Sequence, residues 1–357
     1  MRGEKVVVGL SGGVDSAVAA HLLKAQGYDV IGVTMQVWQE DAPEADGGCC
    51  GLSAVADARR VADMLEIPHY VMNFRQDFKE KVIDNFIAEY TRGRTPNPCI
   101  ACNRYVKWES LLQKSLALGA SHIATGHYAR LVTFPQTARL TLAQSATAEK
   151  DQTYALYNLT QKQLAHTLMP VGDYTKDAIR QMAVELNLPV AHKLDSQEIC
   201  FVPDNDYGKF IEETTGRTFP QGDFVDIDGR VLGKHQGIIR YTIGQRKGFG
   251  IGFGKRMYVK HIDAARNEVV LADDDQILTD SLLADDVNFM AVVGLSHPLR
   301  AKIKTRYGQS MSDGVITMAD GRLSVRFDAP HRAVTPGQAV VAYDATGTFV
   351  LCGGTIQ

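Results

Sequence analysis

The sequence has no long apolar run. None approaches the roughly 18 residues that a membrane-crossing helix needs. The opening stretch, MRGEKVVVGLSGG, does not have the layout of an export signal. Proline is sparse, 12 in 357 residues, and no internal repeat or low-complexity tract interrupts the chain, so collagen-like, mucin-like and generally disordered proteins are set aside. Neither sign of charge is in excess. With 38 Lys and Arg against 41 Asp and Glu the formal balance is −3, so nucleic-acid contact must come from local patches rather than from a generally basic surface. The six cysteines, Cys49, Cys50, Cys99, Cys102, Cys200 and Cys352, do not read as a disulfide scaffold in a chain of this size with no export signal. They read as thiols for chemistry or metal. What the chain does have is 45% hydrophobic residues over a length that suits two or three domains. A cytoplasmic, multi-domain enzyme is expected.

The first half alternates strand and helix signals. A β-branched run over residues 5–10 ends in glycine, and an apolar helical face follows from Val14 to about Gly27. Strand signals recur at residues 30–35, 70–74 and 122–125, with helical patterns at 54–66, 77–90 and 106–118 between them. This rhythm predicts an α/β domain, a parallel sheet with helices on both faces. A hairpin is expected over 130–142, and helices over 161–168 and 176–186. From about Asp206 the texture changes to short strands and Gly-rich turns, and the end of the chain reads as a small β-barrel. The expected division is residues 1–205 catalytic, 206–282 central and mostly β, and 283–357 barrel.

The string Ser11-Gly12-Gly13-Val14-Asp15-Ser16 stands between a strand and a helix. Two glycines allow close backbone approach to a phosphate, while hydroxyls, helix amides and the helix dipole favour an anion there. It is neither a GxxxxGK[ST] loop nor GxGxxG, and a tight turn capped by Asp15 or Ser16 is the plain alternative. In full, SGGVDS resembles the loop of the ATP-pyrophosphatases, which split ATP between the α- and β-phosphates and usually adenylate a carbonyl oxygen. In that resemblance Asp15 would help hold Mg²⁺ on the pyrophosphate, since a hard cation takes carboxylate and phosphate oxygens.

Two further stretches concern sulfur. Thr95-Pro96-Asn97-Pro98-Cys99-Ile100-Ala101-Cys102-Asn103 presents two thiols in a proline-stiffened loop just before a helix, with Arg94, Arg104 and Lys107 nearby, a setting that favours the thiolate. Asp195-Ser196-Gln197-Glu198-Ile199-Cys200-Phe201 is the other. A lone Cys200 is more often a buried small hydrophobe, and CxxC alone is half a zinc site, but no second ligand pair at zinc spacing completes it.

Taken together, SGGVDS, TPNPCIACN, ATGHYAR, KDQTYAL, DSQEICF and YTIGQRKGFGIG, in that order over nearly the whole chain, resemble the tRNA-specific 2-thiouridylase family. The resemblance implies an ATP-pyrophosphatase domain, a small central domain and a C-terminal barrel. It also implies replacement of O2 of the wobble uridine by sulfur in the tRNAs for Lys, Glu and Gln. Carried over by motif, Gly9, Leu10, Ser11, Gly12, Gly13, Val14, Asp15 and Ser16 would bind ATP phosphates, with Met35 and Gly126 at the adenosine. Cys200 would take a persulfide from an upstream sulfur carrier, and Cys102 would attack it. Asn97, Pro98 and Cys99 would meet the flipped base. His127, Lys150, Asp151, Gln152, Arg306, Tyr307 and Gln338 would contact tRNA.

Some family members have Asp in place of Cys99, which raises a rival: a [4Fe–4S] cluster on Cys99, Cys102 and Cys200 with one open iron. It ranks below the persulfide route. Arg300, Lys302, Lys304 and Arg306 alternate with Ala301, Ile303 and Thr305, predicting a basic stripe on one strand face that suits phosphate. Arg240, Arg246 and Lys247 form a second basic patch. Cys49 and Cys50 read as a surface loop, and Cys352, Trp38 and Trp108 as packing. A small-molecule ligase or an ATP sensor would share the first loop but have no use for Cys102 and Cys200.

Overall fold

The structure is a computed structural model that describes residues 3–37, 52–194, 199–202 and 204–357. Cys49, Cys50, Trp38 and the Asp195-Ser196-Gln197-Glu198 segment lie outside the described residues.

The sequence KVVVG forms β1 (Lys5–Gly9), and its three valines are fully buried. Such a run suits a strand covered on both sides, where alternation is lost. With β2 (Asp29–Gln36), β3 (His69–Asn73), β4 (His122–Ala124) and a later short strand it makes a five-stranded, wholly parallel sheet. Val6 and Val8 face one hydrophobic cluster and Val7 the other, as period-two geometry requires. The first cluster packs α1 (Val14–Ala25) and α2 (Leu52–Met64) on one side of the sheet. The opposite side carries the helical residues 75–91 and 98–117. These comprise α3 (Arg75–Phe78), a π-helical stretch Lys79–Ile83, α4 (Asp84–Thr91), α5 (Pro98–Ala101), a second π-helical stretch Cys102–Leu111 and α6 (Leu112–Ala117). The expected α/β fold is therefore present, helices on both faces included.

A hairpin of β5 (Arg130–Thr133) and β6 (Leu140–Ala143) follows the sheet. The helix expected over 161–168 is shorter. α7 (Gln161–Ala165) starts in a Thr160–Gln163 capping box and stops, and β7 (Thr167–Leu168) joins the sheet edge beside β4. The β-branched Thr167 and the unpaired edge of β4 override helix continuation. α8 (Lys176–Glu185) packs back on α1, with Thr175 as its N-cap.

Past α9 (Tyr207–Thr215), a helix that the β-rich texture of this region did not suggest, comes a four-stranded sheet in the order β10-β11-β8-β9. Its strands are β8 (Gly222–Val225), β9 (Val231–His235), β10 (Tyr258–Asp263) and β11 (Glu268–Ala272). Phe224, Tyr241, Phe249 and Phe253 form its aromatic centre, with ring centroids 5.2–6.3 Å apart.

The last strands, β12 (Leu278–Phe289), β13 (Leu299–Lys304), β14 (Ser312–Ala319), β15 (Arg322–Arg332), β16 (Ala339–Tyr343) and β17 (Val350–Ile356), close into a six-stranded barrel in the order β12-β15-β14-β13-β16-β17. Ala301, Ile303, Val325, Val340 and Cys352 fill it. Burial pushes the Cys352 thiol up to about 12, fitting a packing role. Among the described residues no helix is long and apolar enough to cross a membrane.

Candidate active site

The loop after β1 ends at Gly13, which sits extended at the N-cap of α1 (φ −106°, ψ 165°) with no side-chain hydrogen bond capping the helix. Neither Asp15 nor Ser16 caps it. The Ser16 hydroxyl donates to the Gly13 carbonyl (3.1 Å) and accepts from the Ser11 amide (3.2 Å), folding the loop over the helix start. Gly12 has φ +69°, and a Cβ there would stand 2.4 Å from the Ala54 carbonyl oxygen. Gly126, two residues past β4, is also constrained, less severely: its Cβ would lie 2.7 Å from the Asp15 carbonyl carbon and the Ser16 amide nitrogen. Two sequence-distant segments thus touch backbone to backbone at the helix N-terminus, where amides and dipole favour an anion. Met35 lies half-buried on neighbouring β2.

Asp15 is not a vacant carboxylate. Lys176, the first residue of α8, donates to both of its oxygens at 2.8 and 2.9 Å, and the Tyr128 hydroxyl donates to Oδ1 at 2.7 Å. The expectation that Asp15 holds Mg²⁺ does not fit this arrangement, because an ammonium occupies the face a cation would take. Among the described residues no three His, Cys, Asp or Glu side chains stand as a metal-holding group. Cys99, Cys102 and Cys200 are among the described residues and form no such group.

The loop before the CxxC pair is built by the barrel. The Thr95 amide donates to the Pro336 carbonyl (2.9 Å), and the Gln338 side chain donates to the carbonyls of Thr95 (3.0 Å) and Pro96 (3.3 Å). Asn97 then caps α5 by accepting from the Ile100 amide (3.2 Å), and Pro98 takes the first helical position, where a missing N–H does no harm. Pro98 is buried, while Cys99 in the first turn is exposed. Cys102, half-buried, opens the π-helical stretch, a form that concentrates at functional sites. Cys200 is also half-buried. The next residue, Phe201, is 2% exposed and wedged among Phe78, Phe86 and Phe210 at centroid distances of 5.2–5.6 Å, which fixes the chain at Cys200. Cys102 and Cys200 pack against the same hydrophobic core.

The residues expected to meet tRNA divide by burial. Tyr307 is 43% exposed; the Lys304 ammonium lies 5.6 Å from its ring centre, and burial, then Asp151 and Cys99, raise its phenol above the ordinary value. An exposed ring within electrostatic range of the exposed Cys99 is a surface on which a base can stack. Arg306 is half-buried and donates to the Ile243 carbonyl (2.7 Å) and the Thr335 hydroxyl, tying barrel to central sheet; burial lowers its guanidinium. Gln152 accepts from the Tyr128 amide (2.8 Å), and Lys150 is half-buried. His127 and Asp151 are enclosed, at 9% and 3% exposure, and present no face to a nucleic acid. His127 bonds Thr125 (2.7 Å) beneath Trp108, and burial holds it well below the usual imidazole range. Asp151 accepts from Ser145 N (3.0 Å) and Thr153 Oγ1 (2.6 Å), and Thr153 reaches Tyr343 of the barrel (3.0 Å). Burial raises the Asp151 carboxyl above its ordinary value. Asp151 acts inside, holding the KDQTYAL segment against the barrel through Thr153, while His127 is tied to Thr125 and Trp108 within the α/β domain.

The basic stripe is present in parity, and two of its four cations are paired with carboxylates. Ala301 and Ile303 point into the barrel and their neighbours outward, yet Arg300 forks onto Asp328 (2.9 and 2.6 Å) and Lys302 meets Asp313 (3.0 Å). In the second patch Arg240 is committed to Asp206 and Glu212, while Arg246 and Lys247 are exposed. Lys176 and Tyr343 carried no signal of their own in the sequence; Tyr128 lay in the ATGHYAR string without an assigned role.

A parallel sheet with an anion-binding loop at the carboxyl end of β1, joined to a central sheet and a closed barrel, defines a nucleotide-binding α/β enzyme with appended β domains. Three family models match in succession: a tRNA methyl transferase HUP domain over residues 4–204, a tRNA methyl transferase PRC-barrel domain over 208–273 and an aminomethyltransferase beta-barrel domain over 279–356. The tRNA-specific 2-thiouridylase MnmA of Lachnoclostridium phytofermentans is 59% identical over 99% of each chain. That of Acetivibrio thermocellus is 56% identical over 100% of each, and that of Clostridioides difficile 52% identical over 99% of this chain and 98% of its own. The chain belongs to the tRNA-specific 2-thiouridylase family of sulfurtransferases. Likeness to solved structures is slight: a 4-thiouridine synthetase–RNA complex with bound ATP is 17% identical, at a TM-score of 0.35, over 57% of this chain and 46% of that one.

Proposed function

We propose that this protein thiolates C2 of the wobble uridine of the tRNAs for Lys, Glu and Gln in the cytoplasm, consuming ATP and a persulfide delivered by an upstream carrier protein. The observation that carries the reading is the meeting of the barrel with the loop that presents the CxxC pair. The barrel's Gln338 clamps the Thr95–Pro96 backbone that presents Cys99, the barrel's exposed Tyr307 lies within electrostatic range of that thiol, and Cys102 follows one helical turn on. The uridine O2 is a poor leaving group. Transfer of AMP to it, with pyrophosphate seated at the uncapped start of α1, makes C2 open to a sulfur nucleophile. The Cys102 thiolate then attacks the Cys200 sulfur that bears the outer sulfur atom. A Cys102–Cys200 disulfide forms and hydrosulfide leaves; hydrosulfide adds at C2 and AMP departs, and a thiol reductant restores both cysteines. Asn97, Pro98 and Cys99 receive the base drawn out of the anticodon stack. ATP enters with its magnesium on the phosphate oxygens; no step runs through Asp15 as metal ligand or through an iron–sulfur cluster.

The test is a thiolation assay with Mg-ATP, a persulfide donor and unmodified tRNA for Glu, with nucleosides weighed after digestion. A sulfur-for-oxygen mass gain at the wobble uridine, lost in Cys200→Ser and Cys102→Ser, is expected. AMP formation without thionucleoside in the wild type would overturn the assigned substrate. Absence of both would overturn the enzyme reading.

A further inference from the structure

We infer that His331 is a positioning residue for tRNA binding: it bridges the two ends of the loop over residues 305–311 and so fixes where Tyr307 stands. This rests on the reading that Tyr307 meets tRNA. His331 lies near the end of β15, past Phe327, the last residue of that strand paired with β14; from there β15 pairs with β12 alone. Its imidazole is 8% exposed and stacks on Phe327, with ring centres 4.5 Å apart and planes 11° from parallel. Nε2 stands 2.7 Å from Thr305 Oγ1, just beyond β13, and Nδ1 stands 3.0 Å from the hydroxyl of Ser312, the first residue of β14. The Thr305 hydroxyl gives its proton to Gln309 Oε1 (2.9 Å), so Nε2–H donates to Thr305 and Nδ1 is left to accept from Ser312. Burial, then the Arg306 charge, lowers the imidazole pKa, which keeps Nδ1 an acceptor.

One uncharged ring thereby joins both ends of the loop, and through Thr305 it also holds Gln309 within it. The β13–β14 ladder stops at Ile303 and Ser312, so the link from Ser312 to Thr305 lies beyond the sheet bonds. Packing does not fix the turn between them: Tyr307 is 43% exposed, and a Cβ on Gly308 would meet nothing within 4 Å. Tyr154 and Arg306 anchor the β13 side, through the Thr305 and Ile243 carbonyls. A phenylalanine at 331 would stack on Phe327 as well as a histidine does. What the imidazole adds is the pair of bonds.

The experiment compares full-length variants in steady-state thiolation and in hydrogen exchange of the peptide over residues 305–312, read by mass spectrometry. His331→Phe is expected to raise KM for tRNA on the order of tenfold, with kcat and KM for ATP held within about twofold, and to speed exchange in that peptide. His331→Gln, which can both donate and accept, should recover part of the loss. In a Tyr307→Ala background His331→Phe should raise KM no further, because it acts through that ring. If His331→Phe does not fold, Ser312→Ala, which removes one of the two bonds, should raise KM for tRNA about threefold with the same sparing of ATP. An unchanged KM for tRNA in His331→Phe, an equal rise for ATP, unchanged exchange, or full additivity with Tyr307→Ala would each overturn the inference. Unchanged KM in Tyr307→Ala alone, beside faster exchange in His331→Phe, would instead overturn the underlying reading of Tyr307 as a tRNA contact.

Discussion

Four glycines at the nucleotide loop look interchangeable in the sequence, and the structure separates them sharply. An alanine methyl at Gly9 would meet Ala124 O and Thr125 Cγ2 at 3.8 Å, and one at Gly13 would meet Ser11 Oγ at 3.5 Å, both ordinary contacts. At Gly12 the methyl would lie 2.4 Å from the Ala54 carbonyl oxygen and 2.9 Å from its Cα, on a backbone with φ +69°. The left-handed backbone adds about 1–2 kcal/mol and overpacking about 1–3 kcal/mol, so Gly12→Ala is expected to lose roughly 2–5 kcal/mol. For a domain of this size each kcal/mol moves the melting temperature by about 2–4 °C. Thermal unfolding should therefore place Gly12→Ala on the order of 10 °C below wild type, with Gly9→Ala and Gly13→Ala within about 2 °C. Gly126→Ala falls between. Its methyl would be 2.7 Å from the Asp15 and Ser16 backbone, about 0.7 Å short of the 3.4 Å of ordinary contact, so the strand end must back away from α1. Displacements of that size at a reacting centre lower turnover by up to about 100-fold, so Gly126→Ala should lose far more AMP-forming activity than stability. If Gly9→Ala melts as low as Gly12→Ala, or Gly12→Ala melts with wild type, the contact reasoning fails.

Two further outcomes concern the seam with the barrel, and a third concerns a histidine buried within the α/β domain. Tyr154→Phe removes the hydroxyl that reaches the Ala339 (2.9 Å) and Thr305 (3.2 Å) carbonyls of the barrel, and denaturant unfolding should show a loss of about 1–3 kcal/mol; an unchanged midpoint would mean the seam is held elsewhere. Gln338→Ala frees Thr95 and Pro96 from the barrel and should raise KM for tRNA about 2–10-fold while leaving ATP binding unchanged, and an equal loss of ATP affinity would refute a local role. Burial, with Lys107 adding to it, holds His127 well below the usual imidazole value. The unfolded chain therefore takes up a proton near pH 6.5 that the folded chain refuses, and the stability present above that pH is lost as pH falls below it, by up to about 1.4 kcal/mol per pH unit. His127→Gln should flatten the melting-temperature slope between pH 6.5 and 5; an equally steep slope would assign the acid loss to other groups.

Much of this molecule is legible in sequence because its local rules agree with its packing. KVVVG is buried on both sides, and alternation in β13 correctly sends Ala301 and Ile303 inward. What was illegible is registration between distant elements. Period two places Arg300 and Lys302 on an outer face, but Asp313 and Asp328, which neutralise them, arrive on β14 and β15 through barrel pairing. Asp15 and Lys176 lie 161 positions apart, and their contact is set by how α8 packs on α1. A helical pattern over 161–168 ran on past Ala165 because nothing local announces the sheet edge that claims Thr167.

Motif strings carry a different blind spot, since a string names residues without their depth. In KDQTYAL, Asp151 serves Ser145 and Thr153, Thr153 bonds Tyr343, and Tyr154 bonds the barrel backbone, so the string is a buried seam with Lys150 and Gln152 at its edge. The same seam sets the position of Tyr307 through Tyr154, 6.4 Å away ring to ring, and the barrel sets the Cys99 loop through Gln338. On the function proposed above, a substitution on the barrel side of that seam, far from either phosphate loop or thiol, is expected to raise KM for tRNA by shifting Tyr307 relative to Cys99, while the α1 loop, fixed by Gly12, Gly126 and Lys176 within its own domain, keeps its geometry and ATP affinity is unchanged.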